Sequence, residues 1–368
     1  MANKTFRIAT AVCRIVLACT FIVSGFLKVI DPWGTSLKVN EYLSIYGVEF
    51  LRAGSMPFSI WLCGAELMMG CMLLCKVRIR LVSIFALVSI AFFTLLTFLS
   101  ATWIPVEDCG CFGEALKLTP WQTFAKNLVL LPMAFVVWLR YRPDRIFAFK
   151  PVEVLLTLTF FCLSMYLGIY CYNHLPLIDF LPYKVGVDIY GAMHEAEQES
   201  DQAQTVLVCR NRRTGKLREF SLDDRQWQDE TKWEWVETRT DDDFEGIQPL
   251  IGEFALRDAS GDVTEEILTM PGTVYLICVT SFDRLSHGCE QRLAALVRRA
   301  EAEGALAVCL TPQPLDGNFS HAFDGGPAVR CCNIDASTMK TMLRADNGVV
   351  VLDDGVIRAK RNCRDIRP

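Results

Sequence analysis

The chain has 368 residues, of which 52% are hydrophobic and 21% are charged, and this composition excludes an ordinary soluble protein of one domain. Its charge is divided at Tyr172: the first part carries 15 basic and 9 acidic residues, and the rest carries 22 basic and 33 acidic residues. An apolar, basic half therefore precedes an acidic, polar half. No basic patch dominates the polar half, so we exclude nucleic acid as a partner.

Five apolar segments of the first half each approach the roughly 20 residues that a helix needs to cross a bilayer. They cover residues 8–30, 58–74, 81–104, 120–139 and 151–172. The first segment continues for about ten residues beyond Cys19 without a small-residue cleavage site, which favours a retained helix over a cleaved signal. The fourth follows Thr119, Pro120 and Gln122, which form a capping-box pattern. The sequence predicts five transmembrane helices, with the lipid bilayer as a partner.

Basic residues are distributed unevenly over the segments that flank these helices. Ten lie at the N-terminus and in the second and fourth loops, whereas three lie in the first and third loops. Because basic loops remain in the cytoplasm, the N-terminus is predicted to be cytoplasmic and the C-terminal half to lie on the periplasmic, extracytoplasmic side of the cytoplasmic (inner) membrane. The third loop lies on that same outer side, where disulfides persist.

The third loop contains Cys109 and Cys111, separated by Gly110. In an extended chain their Cα atoms lie about 6.5–7 Å apart, at the outer limit for a disulfide, and Gly110 allows the necessary bend. A bridge over so small a ring is strained and therefore exchangeable. Three interpretations remain open: a redox-active or structural pair, half of a metal site, or a tight loop with incidental thiols. We expect the pair and no metal, because two thiolates supply only half of a tetrahedral site.

Two charged residues lie inside the predicted helices. Glu66 is about 13 Å below the outer end of the second helix, and Lys126 lies at a similar depth on the fourth. An intramembrane carboxylate requires a partner or a proton. We expect either a Glu66–Lys126 pair or a protonated Glu66 bonded to another helix, and the alternative is a proton or ligand site that faces the cysteine loop. Lys28 is close enough to the outer surface to reach it with its long side chain.

The polar half contains patterns typical of strands. Residues 205–209 and 217–222 flank a turn and predict a hairpin, and residues 233–240 predict another strand. From residue 253 a β-α-β order, which ends in a hairpin at residues 349–359, resembles the thioredoxin fold. No cysteine pair follows the strand predicted at residues 273–280, so we expect no dithiol catalysis there. Cys289 is expected to serve packing or the N-terminus of a helix.

Motifs in the membrane half resemble a known family. Ser24–Pro32 resembles the end of the first helix in DoxX-type membrane proteins, and Glu66–Leu74 with the basic residues that follow resembles their second helix. Asp108–Gly113 is similar to the cysteine motif of the MauE branch, which is associated with methylamine utilisation. The resemblance covers about residues 8–140. It implies a redox-associated membrane module built on four helices.

The sequence thus predicts a polytopic α-helical membrane bundle followed by an α/β thioredoxin-like extracytoplasmic domain. The predicted divisions are a four-helix domain at 1–150, a fifth helix at 151–172, a β-rich connection at 173–250 and the thioredoxin-like domain at 251–368. The predicted function is thiol/disulfide exchange through Cys109 and Cys111, or support of a partner oxidoreductase, with an extracytoplasmic thiol/disulfide protein as the partner.

Two alternative functions remain open. One is a non-catalytic assembly or binding protein that holds a lipid, a haem or a partner subunit. The other is a quinone-linked thiol oxidase, which lacks its second cysteine pair unless Cys63 or Cys171 serves. No motif requires a cofactor, so the sequence assigns neither quinone nor haem.

Overall fold

The computed structural model divides the chain into two compact units, Met1–Phe180 and Leu181–Pro368. It describes residues 2–103, 110–116, 118–142, 150–195, 205–212, 216–221, 227, 229, 231–240, 254–315, 317 and 319–367. The first unit is helical, and the second is built mainly from strands. Each unit has its own buried apolar core.

The described residues of the first unit form six α-helices and two short 3-10 helices. The α-helices are α1 (Ala2–Ile30), α2 (Pro32–Ile45), α3 (Ser55–Cys75), α4 (Ile79–Thr102), α5 (Pro120–Tyr141) and α6 (Pro151–Asn173). All except α2 are long and apolar enough to cross a membrane, which confirms the five predicted segments as candidate membrane spans. The capping box at the start of α5 is also confirmed: Thr119 Oγ1 accepts from the Gln122 backbone N–H, and the Gln122 side chain accepts from the Thr119 N–H.

The sequence did not predict helix α2. It has 14 residues, too few to span a bilayer, and it mixes polar with apolar side chains. Asp31 caps it, since its Oδ1 accepts a hydrogen bond of 3.0 Å from the Gly34 backbone N–H. Within α2, Ser36 Oγ lies 3.0 Å from Ser55 Oγ at the start of α3. The chain therefore turns directly from α1 into a short helix that packs on α3.

Helices α1 and α3 approach each other closely because two glycines lie between them. A Cβ added to Gly25 would lie 2.4 Å from the backbone nitrogen of Leu67, and one added to Gly70 would lie 2.7 Å from that of Ile22. Small residues permit such backbone contact between membrane helices. The contact places the face of α1 that carries Ser24 and Lys28 against α3.

The second unit contains two separate sheets. The smaller one has three antiparallel strands in the order β2-β1-β3, formed by β1 (Thr205–Asn211), β2 (Leu217–Ser221) and β3 (Trp233–Thr240). Its buried side chains include Leu207, Cys209 and Phe220. The predicted hairpin and the predicted third strand are therefore confirmed.

The larger sheet has eight strands: β4 (Arg257–Asp258), β5 (Gly261–Asp262), β6 (Thr273–Val279), β7 (Leu306–Thr311), β8 (Ser320–Ala322), β9 (Ala328–Asn333), β10 (Asn347–Asp353) and β11 (Val356–Asn362). Their order is β11-β10-β6-β7-β9-β4-β5, and β8 pairs with β9. Strands β6, β7 and β9 are parallel, whereas β10 is antiparallel to both of its neighbours. The first strand described after residue 253 is β4, which begins at Arg257, and residue 253 itself lies outside the described residues.

Four helices accompany this sheet. They are α7, described over residues 189–195, α8 (Thr264–Leu268), α9 (His287–Glu303) and α10 (Ala336–Leu343). Helix α9 connects β6 to β7, and α10 precedes β10. A disulfide joins Cys289 in the first turn of α9 to Cys363 after β11, with the two Cα atoms 5.7 Å apart. The sequence did not predict this bridge, because a separation of 74 residues leaves no local signal.

The close contact of α1 and α3 predicts that Gly25→Ala destabilises the membrane unit. A methyl group there overlaps the backbone of α3, which cannot move aside as a flexible side chain can. We expect a loss of about 1–3 kcal/mol in the free energy of unfolding, measured in detergent. Gly54→Ala is the matched control, since nothing lies within 4 Å of a Cβ at that position. Equal stability of the two variants would contradict the contact.

Candidate functional site

The partner of Glu66 is Lys28 of α1. The two side chains form an ion pair. Only 12% of the Glu66 side-chain surface and 9% of the Lys28 side-chain surface are exposed. This corrects the prediction that Lys126 pairs with Glu66: Lys126 Nζ instead lies 4.6 Å from the centre of the Phe112 ring. It also corrects the expectation that Lys28 reaches the surface. Depth along the helices favoured Lys126, but the lateral contact of α1 with α3 decides which lysine lies beside Glu66.

Ser24 lies one turn before Lys28 on α1 and connects the ion pair to the cysteine loop. Its Oγ is 2.6 Å from Glu66 Oε1 and 2.5 Å from the carbonyl oxygen of Cys111. One serine therefore joins α1, α3 and the loop before α5. The sequence contained a signal for this arrangement, since Ser24 and Lys28 are spaced to share one helix face beside Gly25.

The described part of the cysteine loop folds onto the end of α1. The Gly113 N–H donates to the Gly110 carbonyl across 3.1 Å, so residues 110–113 form a turn. Both glycines have positive φ, 58° and 59°, a conformation that other residues adopt only with strain. Gly113 also lies against the backbone carbonyl of Leu27. Cys109 lies outside the described residues, so its pairing with Cys111 stays a prediction.

Lys28 is the electrostatic centre of this site. Its ammonium group interacts with Glu66 and with the thiols of Cys111 and Cys63. Cys63 is fully buried on α3, one turn before Glu66, and its thiol lies 3.4 Å from Thr35 Oγ1 of α2. The site therefore combines a charge pair, two thiols and two hydroxyls.

No metal site was found in the part of the chain that the structure describes, where no group of three or more His, Cys, Asp or Glu side chains could hold an ion.

The described cysteines of the second unit do not form a comparable site. Five of them, outside the disulfide, are all buried: Cys209, Cys278, Cys309, Cys331 and Cys332. Burial raises the pKa of the Cys278 thiol to about 12 and that of Cys332 to about 11, so both are protonated and weakly nucleophilic at neutral pH. Cys289, which follows the α9 N-cap Ser286 by three residues, is held by Cys363.

Comparisons with known proteins concern the membrane unit. Residues 6–140 match the model of the family described as methylamine utilisation protein MauE. The chain is also 28% identical over 123 residues to Protein TlpB of Flavobacterium psychrophilum, a match that covers 32% of this chain and 33% of that protein. The matched region thus spans about a third of the relative's length. No solved structure matches the chain. Residues 6–140 are thus similar to the MauE family, and the five candidate spans indicate a membrane protein.

The Lys28–Glu66 pair predicts strong coupling between the two residues. Lys28→Met or Glu66→Gln alone leaves one buried charge without its partner, and we expect each to cost about 3–5 kcal/mol in the free energy of unfolding. The double variant leaves no charge and should recover most of this loss. Unfolding in mixed detergent micelles gives the free energies of this double-mutant cycle, and Lys126→Met serves as the comparison variant. Additive losses for Lys28 and Glu66 would contradict the pairing.

Proposed function

We propose that this MauE-type membrane protein is a redox-associated module whose Cys109-Gly110-Cys111 loop exchanges thiols and disulfides with a protein on the outer side of the membrane. The observation that carries the proposal is the position of Cys111, whose backbone is held by Ser24 beside the buried Lys28–Glu66 pair. Buried charges in a membrane protein are costly and usually mark a functional site. Here they lie beside a cysteine.

The Cys111 backbone lies beside the buried Lys28–Glu66 pair, to which Ser24 connects it. A thiolate is the nucleophile in disulfide exchange, and the partner has to be able to reach it. Position 111 also remains half-buried rather than fully enclosed, whereas Cys63 is fully enclosed. Cys111 is therefore the thiol of this site that an outer partner can approach.

The proposed reaction conserves electrons between two cysteine pairs. In one direction, the reduced Cys109 and Cys111 attack a disulfide of the partner protein through a mixed disulfide, and the partner is released as a dithiol. Two electrons and two protons pass from the loop to the partner, and a Cys109–Cys111 bond forms. The reverse direction oxidises the partner. An outer thiol/disulfide protein is thus the only co-reactant required.

The second unit fits a docking role in this proposal. Its strands β11, β10, β6 and β7 are adjacent in that order, and α9 connects the parallel pair, as expected for a thioredoxin-like core. At the start of α9, where that fold carries its reactive cysteines, the chain has Ser286 and the bonded Cys289. This supports a thioredoxin-like domain without dithiol catalysis, within the proposed division at 1–150, 151–172, 173–250 and 251–368.

The proposed topology places the cysteine loop and the second unit in the same compartment. The excess of basic residues in the second and fourth loops supports a cytoplasmic N-terminus. The Cys289–Cys363 disulfide supports an oxidising environment for the second unit, as outside the cytoplasmic membrane. An outer partner could then reach both.

A non-catalytic binding role is the second candidate, and one observation favours it. On α5, Thr123 Oγ1 and Asn127 Nδ2 are buried and have no hydrogen-bond partner among the described residues. Unpaired polar groups inside a membrane protein are costly, so a bound polar molecule would satisfy them. This role requires no reaction at Cys111.

Thiol trapping distinguishes the two candidates. In membranes that contain the full chain, alkylation with and without a mild reductant should differ by two equivalents, located by peptide mass mapping at Cys109 and Cys111. Cys111→Ser should abolish the difference, whereas the matched Cys162→Ser, at an exposed cysteine of α6, should preserve it. If Cys109 and Cys111 alkylate fully without reductant, or never alkylate, the exchange function is wrong and the binding role becomes the better account.

A further inference from the structure

The end of the membrane unit at which α3 ends and α4 begins contains a buried cation, Arg14 of α1. Only 7% of Arg14 is exposed. Its Nη1 donates to the carbonyl oxygens of Leu73 and Leu74, across 2.5 and 2.6 Å, in the last turn of α3. Its Nε is buried and has no hydrogen-bond partner among the described residues. The guanidinium group thus retains a buried N–H donor that no described residue accepts.

The positive charge of Arg14 is balanced only in part. The C-terminal end of a helix carries about half a negative charge, so the carbonyls of α3 do not neutralise a full positive charge. Among the described residues no carboxylate pairs with Arg14, since Glu66 of α3 and Glu153 of α6 each pair with a lysine and Asp144 lies outside the described residues. The parts of α1, α3, α4 and α5 at this end carry no Asp or Glu, because the chain has none in residues 1–30, 67–106 and 115–143. A buried cation therefore lacks a full counter-charge from the described residues, which is costly.

A second arginine lies at the same end. The Leu73 carbonyl that binds Arg14 also accepts from the Lys76 N–H across 3.4 Å, which places Arg14 beside the turn from α3 into α4. Arg78 ends this turn as the N-cap residue of α4. Its Nε is likewise buried without a hydrogen-bond partner among the described residues. Positive charge and unused donors are thus concentrated in Arg14 and residues 76–78, which we call the basic end.

Apolar side chains adjoin the basic end. Ile15 and Leu74, which are next to Arg14 and include one of its carbonyl partners, are 44% and 43% exposed. The helices that meet here, α1, α3 and α4, are candidate membrane spans. The ends of spanning helices lie near the phospholipid headgroups, and their apolar side chains contact acyl chains. A ligand that fits this site therefore combines a negative group with an apolar body.

We propose that the basic end binds an anionic phospholipid, with its phosphate at Arg14 and Arg78 and its acyl chains along Ile15 and Leu74. Guanidinium groups match the oxygens of a phosphate in geometry and charge, and basic sites between membrane helices bind such headgroups. The lipid phosphate supplies the negative charge that no described carboxylate provides. This site goes beyond thiol exchange and requires no reaction at Cys111.

Native mass spectrometry of the full chain, purified in detergent, tests the site. The chain is titrated with phosphatidylglycerol or with phosphatidylcholine of the same acyl chains, because the choline group cancels the phosphate charge. We expect phosphatidylglycerol to bind at least about tenfold more tightly, since each of the two arginines contributes about fivefold in affinity. Inorganic phosphate in large excess should leave the lipid bound. If it displaces the lipid, the site takes free phosphate and the lipid assignment is wrong.

Variants that remove one charge locate the site. Arg78→Gln should weaken the binding of phosphatidylglycerol about fivefold, and Arg14→Gln at least about fivefold. Arg52→Gln is the matched control, because it removes a positive charge from an exposed ion pair between α2 and α3 and should leave the affinity unchanged. If Arg14→Gln fails to fold, the wild-type chain and Arg78→Gln decide the outcome. Equal affinity of the wild-type chain for the two lipids, or the same affinity in Arg78→Gln and Arg52→Gln, overturns the proposal.

Discussion

The organisation of the membrane unit depends on a pair of opposite charges that cannot be solvated. Lys28 and Glu66 are buried, so each charge requires the other, and helices α1 and α3 have to meet where the two residues lie. Gly25 and Gly70 allow that contact. Helix α2 then begins directly after α1, and Ser24 binds the loop that precedes α5. The position of Cys111 follows from these constraints rather than from the loop sequence alone.

The fold was largely predictable because its strongest signals are local. Long apolar runs predicted the five spanning helices, and alternating residues between turn signals predicted most strands of the second unit. Helix α2 was not predicted because its 14 residues of mixed polarity resemble a loop. The candidate site was predictable only in part: Glu66 and Cys111 were proposed from residue type, but Lys28 was assigned to the surface. Its role depends on which helices lie side by side, and the depth of a residue along its own helix gives no information about that.

The charged site and the described disulfide belong to different units. The membrane unit holds the charged site and is the region that resembles known proteins, over residues 6–140. The second unit lies outside that match, and its described cysteines are buried or bonded. In the account proposed above, chemistry belongs to the cysteine loop and recognition to the second unit.

The central claim is that Cys111 lies against Ser24 of α1 at the buried charge pair. Site-directed crosslinking tests it most directly: Ser24→Cys in a Cys109→Ser chain should form a disulfide between position 24 and Cys111 under a mild oxidant, because the Ser24 side chain already contacts the backbone of Cys111. Val23→Cys, at an exposed position one residue earlier, should form none with Cys111. A crosslink from position 23 but not from position 24 would contradict the account, as would the absence of both.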